Sequence, residues 1–293
     1  MKIAYEIHGD IQNPVVIVIQ GLGMPLTATP PEIVSKLVKR GYCLLLIDNR
    51  DIGQSEKTKT KIPNIFLQVI KYLFKSRVTS FYSLEDMAND INDLTVELNI
   101  HSYHVIGVSM GGMIAQLLAI KHTNKVNSLV SIMSTTGDPS LPKPNWKIVK
   151  FILSGSKEKD IGNASSFYIK LWGLIGSPAY PRSHQEISLF VDRILSRGVS
   201  KRGTIRQMLA IMSSYDRSTA LEKISTPTLV IHGKDDLLVP YECGVDTANS
   251  IKNSKLWLIK GMGHDFPNEL FDEFVLRIDS HIQSIKKSRY KPI

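Results

Sequence analysis

The chain has 293 residues, of which 43% are hydrophobic and 22% are charged. These values are ordinary for a globular protein, and a chain of this length can bury a core without a disulfide or a metal. The composition therefore excludes a disordered chain, a collagen-like repeat and a coiled coil. Lys and Arg number 36 and Asp and Glu 27, which gives a net charge of +9.

The first predicted elements are strands, because short apolar runs bounded by turn residues are typical of strands buried on both faces. Strands are expected at 15–19, 42–47, 103–108, 126–132, 228–232 and 255–260. Helical patterns separate these runs. Strand–helix alternation predicts an α/β fold with a mostly parallel, doubly wound sheet.

Two of the predicted helices have clear start signals. One begins at Pro30-Pro31, since proline is favoured in the first helical turn. Another begins at Ser83, with Asp86 three residues later as the second half of a capping box. A third helix is expected after residue 109, and the last is expected from 269 to about 286.

The segment 137–225 interrupts the alternation, because it contains helical patterns and no convincing strand. We predict a core of residues 1–136 and 216–293 with an inserted helical cap at 137–215. Most aromatic residues of the segment are expected in a small helical core and a few on a pocket beneath the cap. These aromatics are Trp146, Phe151, Phe167, Tyr168, Trp172, Tyr180 and Phe190.

The most informative motif lies between a predicted strand and a predicted helix, where residues 107–111 are GVSMG. In the pattern G-x-S-x-G, a sharp turn strains the serine backbone and exposes its hydroxyl, while the glycines let the strand and the helix approach closely. The pattern indicates that Ser109 is a nucleophile. A serine hydroxyl needs a base, and that base needs an orienting acid.

Candidates for the base and the acid follow the last two predicted strands. His264 has glycine on its N-terminal side in the run GMGH, and Asp235 and Asp236 follow the strand at 228–232. Loops at the carboxyl ends of parallel strands are where open sheets place their sites. Of the eight histidines only His264 combines this position with nearby glycines, and His232, which ends a strand, is expected to be structural.

These motifs resemble the α/β-hydrolase superfamily. In that family the acid stands third after a glycine and a proline follows four residues later, a pattern that Gly233, Asp236 and Pro240 match. The resemblance therefore implies Asp236 as the acid, with Asp235 as a neighbouring support and Asp138 as the runner-up. It also implies that the backbone N–H groups of Leu22 and Met110 bind the oxyanion. The family more often has His-Gly where this chain has Gln20-Gly21.

A second loop, DNRDIGQS at 48–55, is similar to the D-x-R-G-x-G-x-S loop of the same hydrolases. Its Asn-Arg-Asp form resembles the branch that includes the aclacinomycin methylesterases. Asp48 and Arg50 are expected to form structural hydrogen bonds rather than to take part in catalysis.

The resemblance implies a serine hydrolase that cleaves a carboxylic ester of a small or medium-sized apolar substrate. Aminopeptidases, carbon–carbon-bond hydrolases and haloperoxidase-like proteins share the same three residues and remain alternatives, as does a non-catalytic binding protein. The chain contains no P-loop, no G-x-G-x-x-G after a strand and no H-E-x-x-H, so we expect no cofactor.

The positive charge raises the question of partners. Lysine supplies 25 of the 36 cations, whereas arginine is the residue that recognises phosphates and bases. We therefore expect no nucleic-acid partner. Residues 57–77 read as a basic amphipathic helix, either a weak contact to an anionic membrane or an insertion that packs on the cap or borders the active-site entrance. Residues 286–291 are expected to form a frayed, solvated tail.

The two cysteines, Cys43 and Cys243, form no C-x-x-C motif and no cluster with histidines, which fits a reducing compartment. The N-terminal residues lack the apolar run of a signal peptide, and no run reaches the roughly 18 apolar residues of a membrane span. We therefore expect a cytoplasmic location.

Overall fold

A computed structural model describes residues 1–155 and 161–289, and one sheet of seven strands organises this part of the chain. The strands stand in the order β1-β3-β2-β4-β5-β6-β7, and every neighbouring pair except β1–β3 is parallel. Their bounds are β1 Tyr5–His8, β2 Val15–Ile19, β3 Cys43–Ile47, β4 Tyr103–Val108, β5 Val126–Ile132, β6 Thr228–Gly233 and β7 Ser254–Ile259. The α/β-hydrolase-type fold class predicted from the sequence is confirmed.

Eleven α-helices are described within the same ranges. Their bounds are α1 Pro31–Lys39, α2 Ile65–Leu73, α3 Leu84–Glu97, α4 Met110–Lys121, α5 Trp146–Gly155, α6 Ile161–Ile175, α7 His184–Arg197, α8 Lys201–Met212, α9 Ser218–Leu221, α10 Tyr241–Asn249 and α11 Phe271–Arg289. Two 3₁₀ turns, Leu26–Ala28 and Asn268–Leu270, complete the set.

Helices cover both faces of the sheet, which explains why the central strands are continuous apolar runs. All residues of β2, β3 and β4 are buried. One hydrophobic cluster joins the sheet to α3 and α4, and a second joins its other face to α1 and α11. A parallel sheet needs both faces covered, since its strands have no side turned to water.

The structure confirms the six predicted strands and adds one. Strand β1 was missed because it has four residues and its side chains alternate between exposed and half-buried, which leaves a weak apolar signal. The capping box of Ser83 and Asp86 is present at α3. The last helix begins at Phe271, since a 3₁₀ turn occupies the predicted start. Residues 290–291 of the predicted tail lie outside the described residues.

The region between β5 and β6 is helical in its described parts, with α5 to α9 and no strand. The packing of α6 against α7 forms the centre of this region, which is consistent with a cap. The boundaries proposed for the cap, residues 137 and 215, stay predictions. Within residues 1–155 and 161–289, no helix combines the length and the apolar character needed to cross a membrane.

Candidate active site

Ser109 occupies a strained turn between β4 and α4. Its backbone has φ 55° and ψ −119°, a left-handed conformation that costs a non-glycine residue roughly 1–3 kcal/mol. Its N–H donates to the Ile132 carbonyl at 2.9 Å, and its own carbonyl accepts from the Ser134 hydroxyl at 2.8 Å. Hydrogen bonds on both sides of the residue therefore hold the turn in place.

Glycine is required at both ends of this turn. A Cβ atom on Gly107 would lie 2.3 Å from the Gly111 carbonyl oxygen, and one on Gly111 would lie 2.1 Å from the Ile19 carbonyl oxygen. Only residues without a side chain let α4 start this close to β2 and β4. The steric role that the G-x-S-x-G pattern predicts for its glycines is therefore present in the structure.

His264 and Asp236 form a buried pair at the ends of β7 and β6. The His264 Nδ1 atom lies 2.6 Å from Asp236 Oδ2, and the exposed fractions of the two side chains are 7% and 0%. The other carboxylate oxygen, Oδ1, accepts the N–H groups of Leu238 and Val239, each at 2.8 Å. The carboxylate thus has partners for both of its oxygens and a fixed orientation.

The environment of Asp236 decides its charge. Burial by itself raises the pKa of a carboxyl group, but the facing His264 ring and hydrogen bonds from His232 and His264 outweigh it and hold the pKa of Asp236 far below its usual range. An ionised carboxylate beside Nδ1 favours the tautomer with a proton on that atom. It leaves the other ring nitrogen of His264 free to accept a proton.

His232 contributes more to this site than the sequence indicated. Its Nε2 atom donates to the Val239 carbonyl at 2.8 Å and lies 3.4 Å from Asp236 Oδ2. The ring is fully buried, and a Cβ atom on Gly244 would lie 2.3 Å from its Nδ1 atom. His232 is therefore clamped beneath the carboxylate and the loop that carries it. The sequence showed only a histidine at the end of a strand.

The structure separates the three candidate acids. Asp235 turns to the neighbouring loop, where its carboxylate accepts the Gly261 N–H at 2.7 Å, so it links the β6 and β7 loops. Asp138 is half-buried, and its carboxylate accepts the N–H of Ser140 at 2.7 Å. Among the described residues, Asp236 is the acid whose carboxylate pairs with His264.

Residues of the helical region between β5 and β6 fix the loop that carries His264. The His264 N–H donates to the Ile175 carbonyl at 2.7 Å, and the Gly263 N–H donates to the Ser177 hydroxyl at 2.9 Å. The Ser177 hydroxyl in turn donates to the buried carboxylate of Asp265. Burial raises the pKa of Asp265, although this hydrogen bond and the positive charge of Arg182 oppose the change. No sequence motif indicated these contacts between the helical region and the loop.

The two predicted oxyanion donors, Leu22 and Met110, lie on the loop after β2 and at the start of α4. Met110 is the first residue of α4, so its N–H belongs to the first turn, whose donors have no partner within the helix. Leu22 lies on the loop after β2, and a Cβ atom on the preceding Gly21 would lie 3.2 Å from Ser109 Cβ. The loop therefore passes directly beside Ser109.

The Gln20 side chain supports this loop in place of the family's usual histidine. Its amide nitrogen donates to the Thr29 hydroxyl at 2.6 Å, and its backbone carbonyl accepts from the Asn49 side chain at 3.0 Å. From α8, the Gln207 side chain accepts the Gly23 N–H at 2.8 Å. The departure from His-Gly thus leaves the loop hydrogen-bonded on both sides.

Asp48 and Arg50 have the structural roles expected from the sequence. The Asp48 carboxylate accepts the Leu26 N–H at 2.7 Å and the Nε–H of Arg197, on α7, at 2.9 Å. Arg50 forms a two-point ion pair with Asp90 at 2.6 and 2.8 Å. Asp48 therefore connects the core to the helical region between β5 and β6.

A cavity of about 550 Å³ opens above Ser109 and His264, and both residues line it. Its walls are mainly apolar. Many of the wall residues come from α6, α7 and α8, among them Phe167, Tyr168, Leu171, Trp172, Phe190 and Met208. Four of the seven aromatics named from the sequence thus lie on the cavity, whereas Trp146 is exposed. The described geometry places a serine and a carboxylate-paired histidine in one apolar cavity, an arrangement suited to acyl transfer.

A family model described as the alpha/beta hydrolase fold matches residues 14–166. The chain belongs to the alpha/beta hydrolase fold family. A hydrolase-fold relative from Serratia proteamaculans, named as a carbamate hydrolase RutD, is 30% identical over 193 residues, which are 65% of this chain and 69% of that protein. The match to the family model includes Ser109 and both predicted oxyanion donors.

Two further comparisons cover more of this alpha/beta hydrolase. The 2-hydroxy-6-oxononadienedioate/2-hydroxy-6-oxononatrienedioate hydrolase of Cupriavidus pinatubonensis is 26% identical over 79% of this chain and 73% of that protein. The crystal structure of the enol-lactonase from Burkholderia xenovorans LB400 superposes with a TM-score of 0.75 at 20% identity, covering 96% of each chain. The second similarity shows the shared fold over nearly the whole chain, including the helical region.

Proposed function

We propose that this protein is a serine hydrolase that cleaves a carboxylic ester of a small or medium-sized apolar substrate. The observation that carries the proposal is the buried pair of His264 and Asp236, 2.6 Å apart, whose histidine lines the same cavity as the strained Ser109. A serine becomes a useful nucleophile when a base takes its proton, and the base works best when an acid fixes its tautomer.

In the proposed reaction, His264 removes the proton of Ser109 as the hydroxyl oxygen attacks the ester carbonyl carbon. Asp236 stabilises the imidazolium ion that forms, and the N–H groups of Leu22 and Met110 stabilise the oxyanion. His264 then donates its proton to the leaving alcohol. Water, activated by the same histidine, attacks the acyl-enzyme and releases the acid by the reverse steps.

The cavity supports an apolar substrate. Its volume of about 550 Å³ lies within the range that holds small organic ligands, and its walls are largely aromatic and aliphatic. The polar groups at its base, Ser109 and His264, are suited to the reacting carbonyl. The resemblance to aclacinomycin methylesterases and the cytoplasmic location stay predictions.

Two alternatives follow from the names of the relatives. A protein named as a carbamate hydrolase and one named as a 2-hydroxy-6-oxononadienedioate/2-hydroxy-6-oxononatrienedioate hydrolase both align over most of their length. Carbamates and esters both present an acyl carbonyl to a nucleophile. Aminopeptidase and haloperoxidase-like activities use the same three residues and stay alternatives, as does a non-catalytic binding role.

The test of the proposal is labelling by a fluorophosphonate probe, which reacts with activated serines, together with hydrolysis of p-nitrophenyl esters of graded length. We expect wild type to label and to turn over the esters, and Ser109→Ala to do neither. The exposed Ser140 provides a matched control, since Ser140→Ala should behave as wild type. Equal labelling of Ser109→Ala, or no labelling of wild type, would show that the proposal is wrong.

A parallel panel separates the substrate classes. p-Nitrophenyl carbamates and a 2-hydroxy-6-oxo-dienoate are assayed beside the esters at the same concentrations. An ester kcat/KM above the other two supports the proposal, whereas a preference for the carbamate or the dienoate assigns the same residues to that chemistry.

A further inference from the structure

The segment 57–77, whose role the sequence left open, contains a helix that exposes large apolar side chains and buries a polar one. In α2, which runs from Ile65 to Leu73, the only buried side chain is that of Gln68. Its amide oxygen accepts the Thr79 N–H at 2.8 Å, so a polar residue anchors the helix to the protein. A helix that covers a hydrophobic core buries its apolar side, and α2 does the opposite.

Large apolar side chains cover the outward face of α2. Phe66 is 75% exposed, Leu73 70% and Phe74, directly after the helix, 79%. Leu67 is also exposed. At 100° per residue these four positions fall within one sector of about 120°, opposite Gln68. Singly exposed apolar residues are common on protein surfaces, but a contiguous apolar patch marks an interaction site.

The charge around this patch is of one sign. Residues 57–84 contain six cations and no Asp or Glu. Lys57 is held by backbone carbonyls of residues 52–55, so it is engaged with the protein. The exposed cations are Lys59, Lys61, Lys75 and Arg77, while Lys71 is half-buried. An apolar face bordered by lysines complements an anionic lipid surface, where the rings enter the interface and the cations meet phosphates.

A second copy of the chain fits this surface less well. In a two-fold dimer the same patch would meet itself, which brings the exposed cations of both copies together. Like charges at a contact oppose association unless acids compensate them, and the segment has none. The charge therefore favours a lipid bilayer over self-association.

The helix also lies at the active-site cavity. Ile65, the first residue of α2, is part of the cavity lining together with Ile152 and Leu189. A bilayer that contacts Phe66 and Leu73 would thus be next to the cavity wall. Apolar substrates concentrate in bilayers, so this arrangement suits entry of an apolar acyl compound from the lipid side.

We propose that α2 and its flanking cations, residues 59–77, dock this protein on anionic membrane surfaces and bring the cavity to the lipid interface. The docking itself is independent of the reaction, whereas delivery of a lipid-phase substrate rests on the proposed function. Peripheral docking of this kind needs no membrane-spanning helix.

The test is co-sedimentation of the full chain with vesicles of phosphatidylglycerol and phosphatidylcholine, compared with phosphatidylcholine alone, over a salt series. We expect binding to the anionic vesicles that weakens as salt rises, because screening removes the contribution of the cations. The variant Phe66→Ser/Leu73→Ser/Phe74→Ser should lose at least tenfold in affinity. Lys59→Gln/Lys75→Gln/Arg77→Gln should lose roughly a hundredfold on anionic vesicles.

Matched controls keep the result interpretable. Val96→Ser/Leu276→Ser replaces exposed apolar side chains, 59% and 53% exposed, on helices α3 and α11 outside the segment 57–77, and it should bind as wild type. All variants should hydrolyse a water-soluble short ester at the wild-type rate, since none of these residues lines the cavity. Binding is also measured with Ser109→Ala, so a failure of docking and a failure of the proposed hydrolase activity are seen separately.

Two outcomes would overturn the docking proposal. One is absence of wild-type binding to the anionic vesicles at low salt, or equal binding by the Ser triple variant. The other is a wild-type dimer in the absence of lipid that the Ser triple variant converts to a monomer, which would assign the surface to self-association.

Discussion

The Nδ1 atom of His264 lies 2.6 Å from Oδ2 of Asp236, and the carboxylate is completely buried. Two backbone N–H groups, those of Leu238 and Val239, hold the other oxygen of this carboxylate at 2.8 Å. The Asp236 carboxylate therefore stays ionised, and the backbone of its own loop fixes its orientation toward His264.

Asp236→Asn should reduce kcat by about ten-thousandfold, the size of the loss when the equivalent group of a serine protease is changed in this way. The Asn side chain can keep its oxygen toward Leu238 and Val239, but it presents no negative charge to His264. The imidazolium ion loses its counter-charge, and the tautomer with a free acceptor nitrogen is no longer favoured. Steady-state kinetics on a short ester measure the loss, and circular dichroism checks the fold. Activity within tenfold of wild type would contradict the assigned role.

His232→Leu should lower kcat up to tenfold and leave KM nearly unchanged, since the substitution removes one hydrogen bond worth about 0.5–1.5 kcal/mol. His232 acts on the substrate only through Asp236 and the Val239 carbonyl, so it is a positioning residue. Its loss also removes an influence that lowers the pKa of Asp236. Asp236 nevertheless stays ionised over the assayed pH range, so the readout is the fall in kcat at a nearly constant KM. A purely structural role would lower stability and leave kcat of the folded protein unchanged.

Gly111→Ala should destabilise the protein by about 3 kcal/mol, the upper end for overpacking a close contact. The added methyl group would lie 2.1 Å from the Ile19 carbonyl oxygen, so α4 and β2 must separate. Gly173→Ala is the matched control. It lies within α6 with no atom within 4 Å of a new Cβ, and alanine there should stabilise the helix by about 1 kcal/mol. Urea unfolding at pH 7 compares the two, and equal effects would contradict the contact argument.

His281 should make the protein sensitive to mild acid. Burial and the positive charge of Lys255 lower the pKa of His281 to about 4. The backbone carbonyls of Pro227 and Leu129 offset part of this change. The unfolded chain therefore takes up a proton near pH 6.5, whereas the folded protein does so only near pH 4. Stability is complete above pH 6.5 and falls by about 3 kcal/mol on acidification to pH 4.

The measurement is the free energy of unfolding in urea at several pH values between 7 and 4, for wild type and His281→Gln. Glutamine does not titrate, so the difference between the two proteins should shrink steadily as the pH falls below 6.5. A constant difference across this range would show that His281 has the same proton affinity in both states.

The sequence predicts most of the core because its signals are local. The apolar runs of β2 to β7, the capping box at Ser83 and the turn at Ser109 each depend on residues within a few positions of one another. The same holds for Asp236 and His264, whose loops follow recognisable strands. Strand β1 was not predicted, because an edge strand of four residues has a weak local pattern. Only its pairing with β3 identifies it as a strand.

The contacts that hold the site loops join residues far apart in the chain, and the sequence analysis did not predict them. His232 looks like any histidine at the end of a strand until β6 and its loop bring it beneath Asp236. Ser177 and Gln207 come from the helical region and hold loops of the core, over sequence separations of 86 and 184 residues. No spacing rule connects residues so far apart.

By itself, the sequence determined the order of strands and helices, the strained serine turn and the loops that carry the acid and the histidine. These follow from the periodicity and turn chemistry of short segments. The resemblance of residues 233–240 implied Asp236 as the acid, but only the tertiary structure decided that its carboxylate, and not that of Asp235, pairs with His264. It also decided that α2 turns Gln68 inward and its apolar face outward. Both outcomes depend on which distant surfaces pack together, because burial is a property of the whole fold and not of the segment.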